Sequence, residues 1–232
     1  DIAFFDLGKE DFEEAEDVAD GLGPRMNLDG CGGCHSQPAI GGTSPAVNPQ
    51  VAFASKLGGT DRVPPFIFLD GPIRELRLVR HPDGTPDGGV TNTFTITGRE
   101  GADGCNLRQH DFAREIANRN AIFRIPTPVF GAGLIEQIPD ATILANQAAN
   151  SSQKRDLGIR GKPNVSVSGR TISGVTNRNG NDGTITRFGW KAQNVSLLLF
   201  SGEAYNVEMG ITSELFQNER EQAQECQFAT VP

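Results

Sequence analysis

The stretch GCGGCHSQP, residues 30–38, places two of the chain's four cysteines and one of its three histidines side by side. Two thiols separated by two residues and followed at once by an imidazole suit three chemistries. On a helical turn the sulfurs of Cys31 and Cys34 can each form a thioether to a haem vinyl group, with a nitrogen of His35 at the iron. A zinc site would need a second pair of Cys or His ligands at matching spacing. Cys105 and Cys226 stand alone, with no Cys or His neighbour at that spacing. A thioredoxin-type redox pair follows a strand and opens a helix in a βαβ unit. Here an acidic segment and a Gly/Pro loop come first, and no βαβ pattern follows. The spacing favours covalent haem attachment and leaves zinc and a redox pair as the lesser alternatives.

The elements that must hold this motif are short and widely separated. Residues 9–19, KEDFEEAEDVA, carry Phe12, Ala15 and Val18 at helical spacing opposite a carboxylate face, and Gly21, Gly23 and Pro24 end that pattern. IRELRLVR (73–80) reads as a strand, HPDGTPDGG (81–89) as turn, and VTNTFTIT (90–97) as the strand expected to pair with the first. Asp111 is placed to cap a helix over 111–120, and Pro139 to open one running to about Asn150. NVSLLLFSGEAYNVEMG (194–210) is the most apolar helical stretch, and 213–225 reads as a further turn and helix. NRNGNDG (177–183) clusters side-chain oxygens, but its glycine spacing and lack of a closing Glu do not fit an EF-hand, so it reads as a turn.

Composition narrows the function classes. The 232 residues include 28 Gly and 14 Pro, which predicts many turns and long irregular connections. A net charge of −8 argues against phosphate-backbone binding to nucleic acid. No apolar run approaches the length of a membrane span, and residues 1–20 are too acidic for a signal peptide, so the chain reads as cytosolic or as a processed mature form. No G-x-S-x-G occurs, and three histidines leave a hydrolase without a base. In an exported protein Cys105 and Cys226 would form a disulfide closing a long loop; the alternative is two buried thiols.

DGLGPRMNLDGCGGCHSQPAIGGTSPAVNPQ (20–50) resembles the first haem-binding segment of the di-haem oxidoreductase family of bacterial c-type cytochromes, whose members are described as peroxidases. VRHPDGTPDGGV (79–90), FRIPTPVFGAGLIEQIPDATILA (123–145), NRNGNDGTITRFGWKAQNVSLLLFSGEAYNVEMGITSELF (177–216) and ECQF (225–228) extend the likeness over almost the whole chain. Full-length members of that family carry a second CxxCH in a more C-terminal cytochrome c-like domain. This chain has one, so it resembles the N-terminal half of that architecture. The resemblance implies a mainly α, cytochrome c-like haem domain with irregular loops and small β-hairpins, a single domain over 1–232, and a periplasmic or extracellular location. It implies one covalently attached haem c, with redox proteins or a second haem domain as partners.

On this reading Cys31 and Cys34 form the thioethers and His35 is the proximal ligand. Met209, which ends an apolar helix just before Gly210 and lies in a family-like stretch, is the candidate for the sixth position. A methionine there suits electron transfer, and an open position suits peroxide. Met26, His81, His110 and Tyr205 are the other candidates. Tyr205, one turn before Met209, can ligate or hydrogen-bond near the iron. Trp190, the only tryptophan, is a candidate relay for electrons or a buried anchor. Arg25, Arg124, Arg187 and Lys191 are candidates to pair with haem propionates. Glu203, Glu208 and His110 are the acid–base groups that a peroxidase would use. The expected function is one-electron transfer, with peroxidase chemistry or a haem subunit of a larger assembly as the rivals.

Overall fold

The computed structural model describes residues 2–86, 94–165, 171–172, 175–176, 185–189, 192–221 and 223–229, with backbone alone at 171–172 and 175–176. Trp190, Lys191 and NRNGNDG (177–183) fall outside the described residues. Short helices and small antiparallel ladders are strung along long irregular connections, and the loops hold more of the described residues than either regular class. The backbone divides into two compact units, Asp1–Phe130 with Ala204–Pro232, and Gly131–Glu203.

In the first unit α1 spans Ile2–Glu13, α2 Cys31–Cys34, α3 Gln50–Lys56 and α4 Phe112–Ala117. The α1 helix starts earlier than the 9–19 periodicity predicts, and it buries none of its residues. Asp111 caps α4 as expected, its carboxylate accepting from the Arg114 amide at 3.0 Å. β1 (Glu75–Leu78) pairs antiparallel with β2 (Ala121–Arg124), Glu75 standing opposite Arg124 and Leu76 opposite Phe123. Of the segment 90–97 expected to pair with 73–80, residues 90–93 lie outside the described residues and 94–97 form no ladder; β1 has β2 as its partner. The reason is the hydrophobic side of β1. Leu76 and Leu78 alternate into a cluster with Phe66, Ile67 and Phe112. Phe123 on β2 closes on Phe66 at 5.1 Å between ring centres. Phe94 and Ile96 instead pack on Ala54 of α3. Burial of aromatic area outweighs the proximity of the nearer segment.

A third cluster, Leu22, Met26, Leu28, Ile73 and Met209, lies under α2. A fourth joins Val18, Ala102 and Leu107 to Cys105 and Cys226, which are disulfide-bonded across 121 residues. Of the two expectations for that pair, the disulfide is what forms. Among the described residues of 213–225, expected to include a helix, the helical structure is the start of the single 3₁₀ turn Gln224–Cys226. Side-chain ties hold this segment instead: Arg25 to Glu221 at 2.7 Å, and Arg220 Nε to Asn206 Oδ1 at 2.7 Å.

In the second unit α5 spans Ala132–Glu136, α6 Asp140–Ala148, α7 Ser151–Asp156 and α8 Leu197–Ala204, with a two-residue ladder between β3 (Thr171–Ile172) and β4 (Val175–Thr176). Pro139 stands at the start of α6 as its sequence predicts, and Asn150 in the left-handed region (φ 54°) separates α6 from α7. The side chain of Arg187, 4% exposed, bridges the end of α5 and the start of α6. It donates to the carbonyls of Ile135, Glu136 and Ile138 and pairs with Asp140 at 2.5 Å. A cation at the orphaned carbonyls of a helix end satisfies acceptors that the helix leaves open. The segment predicted as one apolar helix over 194–210 is α8 followed by a π-turn, Tyr205–Met209, closed by Gly210 in the left-handed region (φ 79°). No helix among the described residues is long and apolar enough to cross a membrane.

Candidate functional site

The site is built on the loop that runs from Leu22 into α2. Gly30, extended at φ −169°, delivers the chain to Cys31. A side chain there would not fit, because a Cβ would stand 2.3 Å from the Glu14 carbonyl oxygen. The Glu16 amide donates to Asp29 O at 2.7 Å, and the His35 amide to Cys31 O at 2.9 Å. The four residues CGGC thus form one helical turn that presents both sulfurs three residues apart. Both thiols are free and part-buried against the cluster of Leu22, Met26, Leu28, Ile73 and Met209.

The His35 ring lies 3.0 Å from the Gly42 carbonyl through Nδ1, and Phe12 meets its face edge-on at 6.0 Å. A carbonyl can only accept, so Nδ1 carries the proton and Nε2 presents a lone pair. Gly42 is itself required: a Cβ would fall 1.8 Å from the Gln37 carbonyl oxygen, inside the turn that brings Gly42 back to the ring. An imidazole fixed by one nitrogen to a backbone carbonyl has the orientation and tautomer of a metal ligand.

Burial pushes the Cys31 thiol up to about 11, with a smaller push from the charge of Glu208. Cys34 is raised well above its ordinary value by burial first, then by Glu75 and Glu208. A thiol held protonated is a poor nucleophile and a poor leaving group in disulfide exchange. That disfavours a redox dithiol. The zinc alternative also loses its donors, since Cys105 and Cys226 are bonded to each other. Among the described residues no group of three or more His, Cys, Asp or Glu is placed to hold a metal ion.

Met209 is 4% exposed and shares the cluster with Cys31 and Cys34, as do Met26 and Tyr205. Burial raises the Tyr205 hydroxyl to about 12, so it stays a neutral phenol. Single π-turns recur at functional sites because they shift the register of side chains, and this one carries both Tyr205 and Met209. The structure thus gathers Cys31, Cys34, Tyr205 and Met209 in one place. His110 instead faces Phe112 at 6.1 Å, beside the start of α4. The described propionate candidates are each paired with a carboxylate of the chain: Arg25 with Glu221, Arg124 with Glu208 and Arg187 with Asp140.

Glu75 escaped the sequence reading, as did the meeting of Arg124 with Glu208, two candidates that it names separately. Arg124 on β2 pairs with Glu208 of the π-turn at 2.6 Å, and Glu75 stands across the ladder from Arg124. Two carboxylates therefore lie near one guanidinium and act on the thiols, Glu208 in an ion pair with it and Glu75 across the ladder from it. Glu75 is pushed up to about 8, by burial and then by the charge of Glu208, with Arg124 offsetting part of the rise. It holds a proton at neutral pH. The signal was available only in the strand register, which puts Glu75 opposite Arg124, and sequence reasoning had paired that strand elsewhere.

Residues 89–226, more than half of the chain, match the family described as "Di-haem oxidoreductase, putative peroxidase". The chain belongs to this di-haem oxidoreductase family. The matched region holds β2, the π-turn with Met209 and both disulfide cysteines, and it begins after CGGCH. No curated protein and no solved structure matches the chain. Membership supports haem and oxidoreductase chemistry for the protein.

The donor set fits such a group. Two unpaired thiols on one turn and an imidazole with Nε2 left open fit covalent haem attachment, and the apolar floor beside them carries two methionine sulfurs.

Proposed function

We propose that this chain is a c-type cytochrome domain that transfers single electrons through one haem c. Cys31 and Cys34 would hold the ring by thioethers, and His35 Nε2 and the Met209 sulfur would bind the iron. The haem supplies an iron that cycles between ferric and ferrous states. The chain's own residues do the rest. Gly42 O holds the His35 ring by accepting from Nδ1–H, which raises the basicity of Nε2. Leu22, Leu28 and Ile73 exclude water, which favours the less charged ferrous state. The observation that carries this reading is the His35–Gly42 hydrogen bond beside two free thiols on one turn.

The cytochrome c-like character of the first unit belongs to the same proposal, as does a periplasmic or extracellular location. The Cys105–Cys226 bond supports that location, because such bonds persist in oxidising compartments. The partners on this reading are redox proteins or a second haem domain, the family being di-haem and this sequence carrying one CxxCH.

A second reading has its own support. A carboxyl that keeps its proton near neutral pH, as Glu75 does, is the acid a peroxidase uses to protonate a leaving hydroxide. The test is the optical spectrum of protein matured in a haem c-competent host, before and after peroxide. A low-spin ferric spectrum with the weak far-red band of a methionine–iron bond, lost in Met209→Ala and indifferent to peroxide, is expected. A high-spin spectrum that shifts with peroxide would replace electron transfer with peroxidase chemistry. Failure to attach haem would overturn both.

A further inference from the structure

Arg99 is 5% exposed, and its Nη1 donates to two backbone carbonyls of the loop before α2, Gly23 O at 3.3 Å and Met26 O at 3.2 Å. Burial lowers its pKa, while Asp29 and Asp17 support its charge, and Asp29 lies two residues before Cys31. A buried cation spent on two carbonyls does more than a neutral residue needs to do for packing. What it holds is informative. The amide of the same Gly23 donates to Met209 O at 2.8 Å. The two backbones meet there with no room to spare. A Cβ on Gly23 would lie 3.0 Å from Met209 O, and one on Gly210 would lie 2.8 Å from Gly23 Cα. Gly210 also sits at φ 79°, where a side chain is strained. The order is therefore Arg99, then Gly23, then Met209: a cation clamps one side of a loop whose other side carries the methionine backbone.

We propose that Arg99 is a positioning residue for Met209, setting how firmly its sulfur is held at the sixth position of the haem. This rests on the axial assignment proposed above. Both bonds leave from the one nitrogen Nη1, so a lysine ammonium, which carries three donors, keeps part of the clamp.

The test uses matured holoprotein and exogenous imidazole, which competes with the methionine for iron. Wild type, Arg99→Leu, Arg99→Lys and Gly210→Ala are titrated optically. Urea midpoints and exchange of the Gly23 amide are measured alongside. We expect imidazole to bind about tenfold more tightly to Arg99→Leu and Gly210→Ala, less so to Arg99→Lys, with the Gly23 amide exchanging about tenfold faster in Arg99→Leu. If wild type carries haem but shows no methionine band, the axial assignment falls and this proposal falls with it. If the band is present and the variants bind imidazole as wild type does while their urea midpoints drop, Arg99 is merely structural and only this proposal is overturned. Should Arg99→Leu not fold, Arg99→Lys and Gly210→Ala decide in the same way.

Discussion

Replacing Glu75 by glutamine tests the electrostatics of the site without touching a ligand. The carboxyl is pushed from 4.5 to about 8. Between those pH values the native protein holds a proton that the unfolded chain has released. Stability varies with pH as the protons bound by the unfolded state minus those bound by the native state. That difference is negative here, so Glu75 makes the fold less stable as pH rises from 4.5 to about 8, and the loss levels off above that. Three to four pH units at about 1.4 kcal/mol each set a ceiling of about 5 kcal/mol. Glu75 keeps part of its surface in solvent, which screens the effect, so we expect a loss of about 2 kcal/mol between pH 5 and pH 8. Glu75→Gln keeps the shape and never ionises. Urea unfolding of matured protein, followed by far-UV circular dichroism at pH 5, 6, 7 and 8, should show the variant matching wild type at pH 5 and exceeding it by about 2 kcal/mol at pH 8. Parallel curves for the two proteins would refute the argument, because they would mean that Glu75 ionises in the fold as easily as it does in water.

Removing the disulfide as Cys105→Ala with Cys226→Ala should cost about 3–5 kcal/mol in urea unfolding, since the bond closes a loop of 121 residues. A loss below 1 kcal/mol would mean that the cluster around Val18 and Leu107 holds the segment without it. Gly30→Ala should destabilise by about 1–3 kcal/mol and reduce the fraction of chains with haem attached, because its Cβ collides with the Glu14 carbonyl. Gly133→Ala in α5 meets nothing within 4 Å and should stabilise by about 0.5–1 kcal/mol, so equal effects from the two would contradict the steric reasoning.

The parts of the site that were legible in the sequence are those whose physics is local. CGGCH announces itself by spacing, Asp111 by its place before a helical pattern, Pro139 by its fixed φ. The parts that were hidden depend on register. Glu75, Arg124 and Glu208 are 49 and 84 residues apart in sequence and meet only once β1 finds β2. That choice is made by Phe66, Phe112 and Phe123 closing on Leu76 and Leu78, not by β propensity, which favoured the threonine-rich stretch at 90–97. Arg99 was hidden for another reason. Nothing in TGREGADG distinguishes an arginine on the surface from one that is 5% exposed. The turn at Met209 was half visible: Gly210 marked the end of the helix, but the π-turn that rotates Tyr205 and Met209 has no sequence signature of its own.

Regular structure does little to hold the proposed haem pocket in place, since α2 is a single turn and the loop before it has none. Order comes from cross-links of other kinds: the Cys105–Cys226 bond, the Arg25–Glu221 pair, the Arg99 clamp and glycines packed backbone to backbone. Such an arrangement restrains the chain on both sides of the ring position without needing a large core. A restrained pair of axial ligands keeps iron geometry similar in both oxidation states, which is what fast electron transfer needs. Glu75 pulls the other way, because a proton held beside the thiols is useful to oxygen–oxygen cleavage and unneeded for carrying an electron. The two demands meet at Met209. Were the Met209 sulfur to hold the iron as proposed, the proton of Glu75 would have nothing to act on, and the domain would carry electrons. Were that bond open, the same carboxyl would be the acid of the peroxidase reading, so the strength of one proposed methionine–iron bond would separate the two proposed functions.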